Sequence, residues 1–99
     1  MTTMNPTDQA SIPDSVVARR VGEETVILDL ASGTYFGLDR VGARIWQLMA
    51  DGNTMVKICD ALEGEFEADR SRIENDLNVL AGELHTHGLI LLQAPSARP

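Results

Sequence analysis

One stretch limits what this chain can fold into more than any other: Gly33-Thr34-Tyr35-Phe36-Gly37-Leu38-Asp39-Arg40-Val41-Gly42-Ala43-Arg44-Ile45-Trp46. Gly33 supplies a turn, because it adopts a positive φ that other residues resist. Thr34, Tyr35 and Phe36 favour an extended strand. Asp39 is placed to cap a helix, and Val41, Ile45, Leu48 and Met49 give that helix one apolar stripe. A strand therefore runs almost directly into a helix. With only 99 residues, the chain has room for a single domain with a small sheet. Such a sheet exposes edges, and an exposed edge can accept a peptide as an extra strand.

The flanking segments complete an α+β pattern. A strand is predicted over 15–21, a turn at Gly22-Glu23-Glu24, and a second strand over 25–30. There Val26, Leu28 and Leu30 alternate against Ile27 and Asp29. Ala31-Ser32-Gly33 forms a tight hairpin into a third strand over 34–38. Short connections make these strands antiparallel neighbours. The first helix covers 40–50 and ends at Asp51-Gly52. A second starts after a Thr54 cap and runs to about residue 63 with Met55, Ile58, Cys59 and Leu62 apolar. Gly64 is read as its end, with Phe66 folding back on the core. The third helix is capped by Asp69 and runs to about residue 87. Ile73, Leu77, Leu80, Ala81 and Leu84 share one side at helical spacing. Gly88 ends it, and 89–92 form a short extended segment packed against the body. The expected architecture is a three-stranded antiparallel sheet followed by three helices, winged-helix-like. The domain spans 12–93, between flexible tails at 1–11 and 94–99.

Charge and composition then narrow the function. The net charge of −7 opposes binding to nucleic-acid phosphates. The 43% of apolar residues suffices for a packed core. No apolar run has the length to span a bilayer, and residues 1–11 lack the basic start and apolar centre of a signal peptide. The single cysteine, Cys59, cannot form an internal disulfide, which fits a reducing compartment. The expected location is the cytoplasm.

Catalytic chemistry finds no constellation here. Cys59 sits at an apolar helix position, where a structural thiol is expected. His85 and His87 are two apart on a helix and point in different directions, so they do not share a metal ion. They suit helix termination instead. Glu63, Glu65, Glu67 and Asp69 read as a solvated acidic connection. No phosphate-cradling loop, serine elbow or zinc signature is present. No enzyme activity, cofactor or metal is expected. On the third helix, Arg72, Asp76, Val79 and Glu83 fall on a flank of the core stripe. Val79 is either the apolar floor of a groove or a scattered surface residue. Trp46, the only tryptophan, either anchors the sheet to the helices or serves an interface.

The run Tyr35-Phe36-Gly37-Leu38-Asp39, followed by Gly42 and Ile45-Trp46, resembles the PqqD-like proteins. Asp76-Leu77 and Gly88-Leu89-Ile90 extend the match over about 12–92. Asp39 stands where many members carry asparagine; both cap helices. These proteins include the pyrroloquinoline-quinone biosynthesis protein D and the stand-alone recognition elements of lasso-peptide and other ribosomal-peptide modification clusters. The resemblance implies that the leader of a precursor peptide lies between the third strand and third helix. On this chain the strand wall would be Thr34, Tyr35, Phe36, Gly37 and Leu38. The helix wall would be Arg72, Asp76, Val79, Leu80 and Glu83. The implied role is a non-catalytic adaptor that presents the leader to a radical S-adenosylmethionine enzyme, a leader peptidase or a cyclase. Two other readings stay open. One is a winged-helix DNA-binding regulator reading with Arg70 and Arg72. The other is a structural subunit that pairs its strand edge with a twin.

Overall fold

The computed structural model of this chain describes residues 8–93. Its elements run β1 (Gln9–Ser11), β2 (Val16–Val21), β3 (Glu24–Asp29), β4 (Tyr35–Leu38), α1 (Arg40–Ala50), α2 (Met55–Phe66), α3 (Arg70–Thr86) and β5 (Leu91–Gln93). Strands β2, β3 and β4 form an antiparallel sheet in that order, as the alternating pattern and tight turns require. Gly33 holds φ at 77°, and its N–H donates to the Asp29 carbonyl at 2.8 Å to close the β3–β4 turn. The Asp29 carboxylate braces the same turn. It accepts from Ser15 Oγ at 2.8 Å, the Ala31 N–H at 3.0 Å and Ser32 Oγ at 2.9 Å. These donors hold its pKa below the usual carboxylate range, with Ser15 the largest influence.

The register divides the sheet into two faces. The rows Val16–Asp29, Ala18–Ile27–Phe36 and Arg20–Thr25–Leu38 share the inner face. Ile27 is fully buried at its centre, and Leu38 is buried beside it. The row Val17–Leu28–Tyr35 lies on the outer face, where Tyr35 is 74% exposed.

Helix α1 packs on the inner face, and α2 and α3 complete the core behind it. Asp39 Oδ1 accepts the Gly42 N–H at 2.8 Å, and the cap lets α1 start one residue after β4 ends. Ile45, Trp46, Leu48 and Met49 of α1 pack with Ile58 and Leu62 of α2 and Ile73, Leu77 and Leu84 of α3. Burying each of these large side chains stabilises the fold by about 1.5–3 kcal/mol. Trp46 is thus a core anchor. At the end of α3, Leu89 N–H reaches the Leu84 carbonyl and Gly88 N–H the His85 carbonyl, with Gly88 at φ 74°. This left-handed stop turns Leu89 and Ile90 straight into the core, where both are fully buried.

Three expectations need correcting. Residues 9–11 are not part of a loose tail: β1 pairs antiparallel with β5 through Gln9↔Gln93, Ala10↔Leu92 and Ser11↔Leu91, and Ala10 is buried. The Met55 N–H also donates to the Asp8 carbonyl, and Gln9 Nε2 to the Gly52 carbonyl. The remaining tail segments, 1–7 and 94–99, lie outside the described residues. Gly64 does not end α2, which continues to Phe66 and stops at Glu67 in the left-handed region, φ 50°. Packing of Phe66 against the core outweighs the roughly 1 kcal/mol penalty of an interior glycine. Asp69 marks the start of α3 but makes no side-chain cap bond.

Candidate functional site

The free margin of β4 follows from the hydrogen-bond parity of its ladder. The Asp29 N–H donates to the Thr34 carbonyl at 2.8 Å. In an antiparallel pair, bonded and non-bonded residue pairs alternate. With Leu28 opposite Tyr35 and Thr25 opposite Leu38, the bonded pairs are Ile27–Phe36 and Thr25–Leu38. Tyr35 and Gly37 therefore point their N–H and C=O groups away from β3. No other strand among the described residues pairs with that side.

Helix α3 runs antiparallel alongside this margin. Near the start of β4, the Phe36 ring meets the His87 ring edge-on at a centroid distance of 5.8 Å. Beyond the other end of β4, Val41 and Ile45 of α1 share a recess with Arg72 and Asp76 near the start of α3. Strand and helix enclose an open groove of about 540 Å³. Phe36, Gly37 and Leu38 form its strand wall, and Arg72, Asp76, Leu80 and Glu83 its helix wall. Asp39, Val41, Gly42 and Ile45 close the end where β4 becomes α1. At that end the groove adjoins a smaller apolar recess of about 220 Å³, lined by Leu62, Phe66, Ala68 and Ile73. From Arg72 to Glu83 the helix rises about 16 Å. An extended segment of about five residues covers that span.

Among the residues expected at the site, Phe36, Gly37, Leu38, Arg72, Asp76, Leu80 and Glu83 do converge on the groove. Thr34 precedes β4, and its carbonyl is taken by Asp29. Tyr35 is outside the groove lining: its backbone groups face the free margin of β4, while its ring stands on the outer sheet face. Val79 is 54% exposed and lies outside the groove lining. Leu80, half-buried and one helical step closer to the core stripe, takes the apolar position instead. The α1 residues Val41 and Ile45 were read from sequence as core only. Their stripe was visible, but not that its outer edge stays open to the groove.

The groove walls carry three carboxylates, Asp39, Asp76 and Glu83, against one cation, Arg72. Arg72 Nε stands 3.9 Å from Asp76 Oδ2, with both side chains largely exposed, so the pair is loose. Glu83 has no ion-pair partner among the described residues.

The other candidates resolve into structural roles. Burial pushes the Cys59 thiol above its ordinary pKa, which keeps it protonated and a poor nucleophile. The acidic connection is partly paired rather than simply solvated. Arg44 grips both Glu65 oxygens at 2.8 Å, and Arg70 bridges Asp60 and Glu63 to Glu74. No group of three potential metal ligands clusters among the described residues. No helix among them is long and apolar enough to cross a membrane.

A small α+β body with an unpaired strand margin set across a groove from a helix defines a module for recognising an extended segment. The family model of coenzyme PQQ synthesis protein D matches residues 24–90 of the chain, which therefore belongs to that family. Two solved structures share the fold. One is TbiB1 in complex with the TbiA(beta) leader peptide. It is 39% identical with a TM-score of 0.75, over 88% of this chain and 98% of that one. The other is a lasso peptide synthetase B1 complexed with the leader peptide. It is 26% identical with a TM-score of 0.77, over 84% of this chain and 98% of that one. Among curated proteins, none matches.

Proposed function

We propose that this chain is a non-catalytic adaptor that holds the leader of a ribosomally made precursor peptide by strand addition on β4. The observation that carries the reading is the outward-facing backbone of Tyr35 and Gly37 opposite α3. Main-chain bonds to that edge give affinity with little demand on guest sequence, and the groove walls add selectivity. Micromolar to nanomolar binding needs about 8–12 kcal/mol, which a few strand bonds and buried apolar contacts can supply. Family membership and the two leader-bound neighbours support the same reading.

The bound leader would bring its attached core to a radical S-adenosylmethionine enzyme, a leader peptidase or a cyclase. Holding the substrate raises its effective concentration at that enzyme without a second free encounter. With a lone buried thiol, the chain suits the reducing cytoplasm. The DNA-binding alternative is not supported, because the candidate reading helix carries Glu74, Asp76 and Glu83 on an acidic chain.

Titration of isotope-labelled protein with the TbiA(beta) leader peptide tests the proposal. The amide signals of Tyr35 and Gly37 should move most among the β4 residues, with saturable binding. Binding that leaves those amides unmoved, or no binding either by this leader or by that of the chain's own precursor, overturns it.

A further inference from the structure

We propose that the segment held in this groove is cationic on the side that faces α3, with two Lys or Arg residues flanking an apolar one at alternate positions. The inference rests on the strand-addition reading and names the chemistry of its guest. The groove itself is defined by the open backbone edge, independently of its charge. What the walls add is a sign: Asp39, Asp76 and Glu83 face the cavity against the single Arg72. The whole chain reinforces that sign, with a net charge of −7 that draws cationic segments in from solution.

Spacing turns the sign into a pattern. Asp76, Leu80 and Glu83 follow one another along the groove wall. Successive steps of four and three residues rise about 6 and 4.5 Å on a helix. Same-face residues of an extended guest recur about every 6.6 Å. A strand beside α3 thus sets alternate side chains against an acid, an apolar contact and an acid. The flexible stem of a Lys or Arg takes up the residual offset near Glu83. Opposite Arg72, one step before Asp76, a third cation is disfavoured. Because Arg72 and Asp76 are only loosely joined at 3.9 Å, a guest cation can share Asp76 without breaking a tight pair.

Three capped synthetic peptides test this, each alternating threonine with a variable position. The variable positions hold lysine-leucine-lysine, glutamine-leucine-glutamine or glutamate-leucine-glutamate. Fluorescence anisotropy gives their affinities, and the Tyr35 and Gly37 amide shifts report strand addition. At about 50 mM salt the lysine peptide should bind about tenfold more tightly than the glutamate peptide, with glutamine between them. At about 500 mM the gap should close. In the Asp76→Asn, Glu83→Gln double variant it should fall to about twofold, with the melting temperature kept because both side chains are exposed. Equal binding of the glutamine and lysine peptides, with both edge amides shifting, overturns the charge inference and leaves the groove standing. A gap that survives the double variant overturns it as well, since the preference then arises elsewhere on the molecule. If no synthetic peptide shifts the edge amides while the TbiA(beta) leader does, the charge inference is overturned and strand addition stands; if the leader also leaves them unmoved, both readings fail.

Discussion

Gly37→Pro isolates the backbone contribution of the β4 margin. The Gly37 N–H points away from β3, so proline removes no bond within the sheet, and prolines are tolerated on an edge strand when the lost donor faces outward. The preceding residue, Phe36, is already extended, as proline requires of its neighbour. A Cβ at position 37 meets nothing within 4 Å, so Gly37→Ala is a control that fits and keeps the donor. A guest carbonyl that loses this donor stays unpaired against the ring, at a cost of about 1–3 kcal/mol. That corresponds to a rise in Kd of about 5- to 160-fold. The register makes the next position behave oppositely: the Phe36 N–H is bonded to Ile27, so Phe36→Pro should unfold the sheet rather than only weaken binding. Calorimetric titration with the TbiA(beta) leader, alongside thermal melts, reads both quantities. Wild-type affinity in a folded Gly37→Pro protein would refute the assigned edge geometry.

Leu80→Glu should lower leader affinity by about tenfold or more, the worth of one apolar anchor, with only a small change in Tm because Leu80 is half-buried; a calorimetric titration and a melt check both parts. Val79→Glu should shift stability and binding by no more than about 0.5 kcal/mol in the same measurements, since Val79 is exposed and outside the groove. Asp29 titrates below the usual carboxylate range in the folded state, so its contribution is present above about pH 4 and is lost as pH falls through the lower folded value. Melts of Asp29→Asn from about pH 6 down to about pH 2 should therefore show a shallower loss of Tm than wild type.

Much of this fold was legible because local rules and burial agree. In α1 the Asp39 cap, the apolar stripe and Gly52 all point to the same limits, Arg40–Ala50, as the structure shows. Strand limits shifted by about one residue, as expected where turn residues can join either element. Where local signals were weak or opposed, reading failed. Gln9-Ala10-Ser11 has no apolar alternation, and its strand exists only because β5 offers a partner far along the chain. Gly64 resembles a stop, yet Phe66 needs one more turn of helix to reach the core. At the groove the charged wall was legible from helical spacing, whereas the choice between Val79 and Leu80 was not. They differ by one residue, and only the placement of α3 against β4 decides which of them faces the opening.

The pairing of β1 with β5 sets Gln9 directly across from Gln93. The first and last strands of the described residues thus lie side by side, while the opening between β4 and α3 is built from residues elsewhere. Such a layout makes the unit portable. Spliced as a cassette into a surface loop of a larger catalyst, or hung from either of its ends, it would add the ability to capture a substrate without remodelling its host.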